Sequence, residues 1–202
     1  DINNTIKAAK KLLKRLLTED IELRTSLTKD DTVVMADKSQ MDQILFNLVT
    51  NARDAMPKGG MLTIQTGITA MDKEFTRIHG FGEPGRYVLI SVSDTGTGMD
   101  EATRDKIFDP FFSTKFAGRG LGMSAVLGIM RAHKGAVLVD SVPGGGTAVR
   151  VFFPVAGNPV LDSAKKERDI TPSPQTGRGT LLFADDEPDM AELAQLMLQD
   201  MG

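Results

Sequence analysis

The chain has 202 residues, 41% of them hydrophobic and 25% charged, an ordinary globular composition with room for one sizeable domain and a smaller piece. Its formal net charge of −3 argues against the broad basic face that a nucleic-acid backbone requires, so no nucleic-acid partner is expected. It has no cysteine and only two histidines, His79 and His133, which excludes disulfides, thiolate metal sites and a His-rich metal centre and fits a reducing cytoplasm. No apolar run approaches the roughly 20 residues of a membrane helix, and the polar N-terminus has no signal-peptide pattern. The start at Asp1 without Met, and the end at Gly202 after a lone strand and helix pattern, lead us to expect an excised, soluble part of a longer chain, whose intact form could be membrane-anchored.

In chain order, Ile2, Ile6, Ala9, Leu13, Leu16 and Leu17 recur at helical spacing, with Asn3 and Asn4 as capping candidates. The basic run Lys7 to Arg15 falls on the solvated face of this helix. Ile21 to Leu27 alternates as a half-buried strand, and Thr32 to Ala36 reads as a second strand paired with it across the Lys29-Asp30-Asp31 turn. A long helix then opens on Asp37, with Gln40 completing a capping box, and ends at Pro57 to Gly60. Strands follow at Met61 to Ile68 and Arg86 to Ser93, with a polar loop between them. A short helix starts near Asp100, and another runs from Met123 to Ala132. A hairpin over Ala136 to Val142 and Thr147 to Phe153 turns at Gly144 to Gly146. Residues 155–179 carry Pro159, Pro172 and Pro174 and read as linker. Residues 180–202 begin a new core: an apolar strand reaches Asp185-Asp186-Glu187, and an amphipathic helix follows.

Three constellations carry chemistry. Asn47, Asn51 and Asp54 share one face of the long helix, four and three residues apart. Amides one turn apart in an apolar helix are either a satisfied core network or ligand groups, and Asn51 could offer its oxygen to Mg²⁺. Asp94-Thr-Gly96-Thr-Gly98 sits where a strand ends; it is either a capped turn or a carboxylate that accepts from an exocyclic amine, with glycines allowing close approach. Gly118-Arg119-Gly120-Leu121-Gly122 precedes a helix, whose free amides and dipole suit phosphate. It is neither a P-loop nor a dinucleotide fingerprint, for it lacks Gly-Lys-Ser/Thr and a strand immediately before it.

Taken in order, these motifs resemble the histidine-kinase branch of the ATPase superfamily that includes gyrase, the heat-shock-90 chaperones and MutL. The likeness spans residues 1–154. Asn47 to Asp54 is similar to the asparagine box, Asp94 to Gly98 to the first glycine box, and Ile107 to Lys115 to the phenylalanine box. Gly118 to Ser124 resembles the second glycine box, and Gly146-Thr147 the terminal Gly-Thr pair. The resemblance implies a Bergerat-type two-layer α/β sandwich, a mixed sheet of about five strands with helices on one face.

It further implies ATP and Mg²⁺ as cofactors, with Asn51 on the metal and Asn47 assisting near the phosphates. Asp94 would read adenine with Thr147 helping through water, Gly96 and Gly98 would let the base approach, and Gly118, Gly120 and Gly122 would give amides to the phosphates. Lys115 and Arg119, in a short lid over 113–119, are candidate phosphate contacts. Asn47 stands where hydrolytic branches carry a glutamate base, which favours transfer to a protein acceptor over hydrolysis. Ala55 departs from kinases that carry an aromatic there. Residues 180–202 resemble the start of a receiver domain, with Asp185 and Asp186 in its Mg²⁺ cluster or capping its helix. The implied protein is a hybrid sensor histidine kinase, homodimeric at full length. Its acceptor histidine would lie on a dimerisation region before Asp1, and phosphate would pass on to a receiver or response regulator. Neither His79, read as a surface loop residue, nor His133, read as closing a helix end, has an acceptor's surroundings. The rival readings are an ATP-hydrolysing member, a serine kinase acting on an anti-sigma pathway, and a degenerate interaction module.

Overall fold

A computed structural model describes residues 1–79, 82–113 and 120–157. The receiver-like segment 180–202, with Asp185 and Asp186, and most of the 155–179 linker lie outside the described residues. One mixed sheet of five strands runs in the order β1 (Ile21–Ser26), β2 (Gly60–Met71), β3 (Gly85–Asp94), β5 (Gly146–Pro154) and β4 (Ala136–Val142). β1 pairs with β2 in parallel, and the remaining pairs are antiparallel.

Helices α1 (Ile2–Leu16), α2 (Lys38–Ala55) and α5 (Gly122–Ala132) carry apolar stripes that meet the inward residues of the sheet in one core. Ile6 and Leu13 of α1, Ile44, Leu45 and Val49 of α2, and Val126 and Met130 of α5 have no accessible surface. They close on Leu62, Ile64, Ile90 and Val151 of the strands, also fully buried. Each such side chain contributes about 1.5–3 kcal/mol relative to exposure. The expected two-layer sandwich is what the chain forms.

The far face of the sheet is not bare. Tyr87, Phe152, Ala136 and Met71 form a second, smaller cluster, against which Phe75 packs from α3 (Lys73–His79). The Tyr87 hydroxyl donates to the Glu83 carbonyl at 2.8 Å and accepts the Glu83 N–H at 3.0 Å, fastening the β2–β3 connection to that face. This connection was expected as a polar loop; instead β2 continues to Met71 and α3 follows. Asp72 starts α3 by accepting the N–H of Phe75 at 2.7 Å, a local signal overlooked in a short polar stretch.

The expected hairpin of Ile21–Leu27 with Thr32–Ala36 does not form. β1 takes β2 as its partner, Ile21 beside Gly60 and Ser26 beside Gln65. Thr32–Ala36 alternates as expected, with Thr32 buried and Met35 81% exposed. Its contacts lie elsewhere, in an isolated bridge from Val34 to Val155 and a bond from the Ala156 N–H to the Val33 carbonyl. Alternation specifies a strand's buried face but leaves its partner undetermined. Thr32 also receives α1, its carbonyl accepting the Ile2 N–H and its hydroxyl the Asn3 N–H. The α1 cap is Asp1, which accepts from the Asn4 N–H, whereas Asn3 is a buried helical residue bonded to Thr28 and Thr66.

At the start of α2, Asp37 caps as expected, accepting the N–H groups of Ser39 and Gln40 and the Ser39 hydroxyl. The reciprocal half of the capping box goes to another residue, since the Asp37 N–H donates to His133 Nε2 at 3.4 Å. His133 closes α5, with Nδ1 donating to the Ile129 carbonyl at 2.8 Å. The Ser39 hydroxyl and then the Gln40 and Ser39 N–H groups hold the Asp37 carboxyl below its ordinary value of 3.8. A depressed carboxyl stabilises the fold above its unfolded value, and that contribution is lost as pH falls through the folded one. Asp37→Ala is therefore expected to lower Tm by several degrees at pH 7, with the difference from wild type closing in acid below about pH 3.9. Thermal melts across pH check this.

Candidate nucleotide site

A cavity of about 670 Å³ opens between α2, the ends of β3 and β5, and the start of α5. Asn47, Asn51, Asp54, Asp94, Gly98, Gly120, Leu121, Gly122 and Thr147 line it, so nine sequence candidates converge on one space. Lys115, Gly118 and Arg119 lie outside the described residues.

One wall is polar. Asp94 and Thr147 are cross-strand partners at the ends of β3 and β5. Asp94 Oδ1 accepts the N–H of Gly96 at 2.8 Å and of Thr147 at 3.3 Å. The carboxylate is thus aimed by two backbone donors. The close approach depends on Gly146, at φ +83°, where an added Cβ would meet the Asp94 carbonyl at 2.1 Å.

The loop after Asp94 is held on both sides. The Thr97 N–H donates to the Ala55 carbonyl at the end of α2, and the Thr97 carbonyl accepts the Gly144 N–H of the β4–β5 turn at 2.7 Å. A Cβ on Gly96 would lie 2.4 Å from the Ala55 oxygen, and one on Gly98, at φ +63°, 1.9 Å from the Val142 oxygen. Gly96 does not line the cavity, and its lack of a side chain lets the loop close on α2.

The opposite end is formed by α2 and α5. A Cβ on Gly122 would lie 3.6 Å from Asn47 Oδ1 and 3.8 Å from Asn51 Nδ2, so both amides face the first turn of α5. Among the described residues neither Asn47 nor Asn51 has a hydrogen-bond partner for its side chain. Leu121 begins α5 without a side-chain cap, which leaves the amides of the first turn directed at this end of the cavity. Asp54 is held from beside it, its Oδ1 accepting from Arg53 Nη2 at 2.7 Å and Nε at 3.0 Å, while Arg53 Nη1 donates to the Leu16 carbonyl.

The phenylalanine segment divides its two rings. Phe112 lines the cavity, whereas Phe111 is 76% exposed and sits at φ 67°, uncommon for a residue with a side chain. The Phe111 N–H donates to the Gly120 carbonyl at 3.0 Å, joining the backbone on either side of residues 112–119. The apolar walls, Phe46, Val92, Met99, Ile107 and Val149, were not singled out from sequence. Val92 and Val149 could have been found as the residues two before Asp94 and two after Thr147, on the same sheet face.

A mixed sheet covered by helices on one face, with a cavity lying between a strand-end carboxylate and an uncapped helix start, is the frame of an ATPase-type nucleotide-binding domain. Residues 36–157 match the family of histidine kinase-, DNA gyrase B-, and HSP90-like ATPases, and the chain belongs to it. Relatives within that family include sensor kinases. It is 38% identical to sensor kinase CckA of Brucella abortus over 93% of its own length and 20% of that relative's. It is 36% identical to sporulation kinase A of Bacillus subtilis over 66% of the chain and 20% of the relative. The chain thus spans about a fifth of these curated relatives. Among solved structures, the mycobacterial sensor histidine kinase MprB aligns with a TM-score of 0.60 at 25% identity, covering 76% of this chain and 94% of that one. Full-length ShkA in complex with AMPPNP aligns at 0.61 and 27% identity, over 76% of this chain and 30% of that one. Among the described residues no helix is long and apolar enough to cross a membrane.

Two glycines separate packing from ligand roles. Gly98→Ala is expected to cost about 3 kcal/mol in urea unfolding, from a left-handed φ and a backbone clash together. Gly122→Ala, whose Cβ meets only ordinary contacts, is expected to stay within about 0.5 kcal/mol of wild type.

Proposed function

We propose that this chain is the ATP-binding catalytic domain of a hybrid sensor histidine kinase. The observation that carries the reading is the pairing of two opposed walls in one cavity. The Asp94 carboxylate is fixed at one end by the Gly96 and Thr147 amides. At the other end Asn47 and Asn51 face the uncapped start of α5. In this reading Asp94 accepts the adenine amine, Thr147 assists beside it, and Met99, Ile107 and Val149 flank the base. The first amides of α5 receive the phosphates. The complex of ShkA with AMPPNP supports a nucleotide here by likeness.

Among the described residues no group of three His, Asp or Glu side chains could hold a metal alone. A Mg²⁺ at Asn51 would therefore share its ligands with phosphate oxygens and water, as that ion commonly does. Bound there, Mg²⁺ would neutralise charge on the triphosphate. Asn47 cannot act as a general base toward water, so the residues here serve to orient and hold the nucleotide. The γ-phosphoryl group would pass to a histidine on a dimerisation region of the same protein and then to an aspartate of a receiver or response regulator. The receiver-like 180–202 motif, with Asp185 and Asp186, supports the hybrid arrangement. Lys115 and Arg119 would contribute from the lid, and the domain would work in the cytoplasm as part of a homodimer.

Calorimetric titration with AMPPNP and Mg²⁺ is expected to give saturable binding. Asp94→Asn is expected to weaken it by roughly 10- to 100-fold, the range for a lost charged hydrogen bond, and Asn51→Ala to remove its dependence on Mg²⁺. Absence of binding by the folded wild-type chain would favour a degenerate interaction module.

A further inference from the structure

We propose that the outer face of α1 is a docking surface for the anionic headgroups of a lipid bilayer. The inference is independent of the nucleotide reading above. α1 lays Ile2, Ile6, Ala9 and Leu13 into the core. At 3.6 residues per turn its other side carries Lys7, Lys10, Lys11, Lys14 and Arg15 within an arc of about 140°. All five residues are exposed. The chain as a whole has a formal net charge of −3, so this face is a local reversal of sign.

These cations do not balance charge within the domain. The helix contains no Asp or Glu; the nearest in sequence are Asp1, which caps its start, and Glu19 and Asp20 beyond its end. Among the described residues none of the five takes part in an ion pair, and Lys10 donates to the Thr25 hydroxyl at 3.1 Å. Lys14 and Arg15 fall in the last turn, where they favour the helix dipole. Lys7, Lys10 and Lys11 lie before it, so the dipole does not account for them. Lys7 with Lys11, Lys10 with Lys14 and Lys11 with Arg15 are like-charge pairs one turn apart, each of which disfavours the helix slightly. A surface of opposite charge removes that repulsion.

The kind of partner follows from the side chains. Four of the five are lysine, a hydrated point charge on a flexible stem, without the planar fork by which arginine fixes a carboxylate. The arc holds no aromatic or apolar anchor of the kind on which specific protein interfaces depend. Leu12, 48% exposed, sits at its flank. Such a face fits a diffuse field of negative charge, which is what anionic lipid headgroups present. Because the apolar stripe of α1 is used in the core, the helix docks by charge and does not insert.

The test is co-sedimentation of the whole chain with vesicles. Binding is expected to phosphatidylcholine vesicles holding roughly 30% phosphatidylserine and not to phosphatidylcholine alone, since anionic headgroups supply the attraction. It is expected to vanish at about 0.5 M salt, where the screening length is only a few ångströms. Lys7→Gln, Lys11→Gln and Lys14→Gln together are expected to weaken binding roughly 100-fold, at about fivefold per lysine. Lys58→Gln, Lys106→Gln and Lys134→Gln together change net charge equally, on exposed residues outside α1. This second set is expected to weaken binding by less than about threefold. Equal losses in the two triple variants would overturn the inference, because net charge rather than α1 would then carry the binding. Binding that survives high salt would overturn it as well. So would a folded wild-type chain that ignores the serine-containing vesicles, and capture of poly-glutamate by that chain would assign the face to an acidic protein instead. If the α1 variant does not fold, the lipid and salt measurements on wild type decide alone.

Discussion

The structure depends on how closely the backbone after Asp94 is trapped between two other backbones. The Ala55 carbonyl presses on Gly96 from the end of α2, and the Val142 carbonyl presses on Gly98 from the β4–β5 turn. Side chains at either position would force these elements apart. Because the loop is bonded to both, through the Thr97 N–H to Ala55 and the Thr97 carbonyl to Gly144, the far wall of the cavity is fixed relative to α2. The amides of Asn47 and Asn51 are carried by that same helix, so a single packing constraint sets the distance between the two polar ends.

The core supports this by asymmetry. α1, α2 and α5 bury their stripes on one sheet face, and the cavity lies where that layer ends, beyond Val92 and Val149. Inside the layer the strand residues are apolar; one step further the same face carries Asp94 and Thr147. The change from valine to acceptor along one face turns a core surface into a binding surface without altering the strand. The far face, with Tyr87 and Phe152 under α3, takes no part in the site.

Most of the site was legible in the sequence because its signals are local. The spacing of Asn47, Asn51 and Asp54 is a property of one helix, and Asp94 with its glycines marks one strand end. Gly146-Thr147 was picked out by order alone. What escaped was non-local. The parallel partner of β1 could not be read from its alternation, which is indifferent to what lies beside it. The packing role of Gly96 required knowing where Ala55 ends up. α3 was lost for a different reason: seven residues in a polar stretch give a period too short to register.

The most direct test of the cavity as the nucleotide site is a map of backbone amide NMR shifts on adding AMPPNP with Mg²⁺. The account predicts the largest changes at Gly96, Met99, Gly122 and Thr147, whose amides belong to the two polar ends or the adjoining apolar wall, with Tyr87 and Leu89 on the far face unmoved. Changes centred on that far face, or none at the four amides under saturating nucleotide, would contradict it.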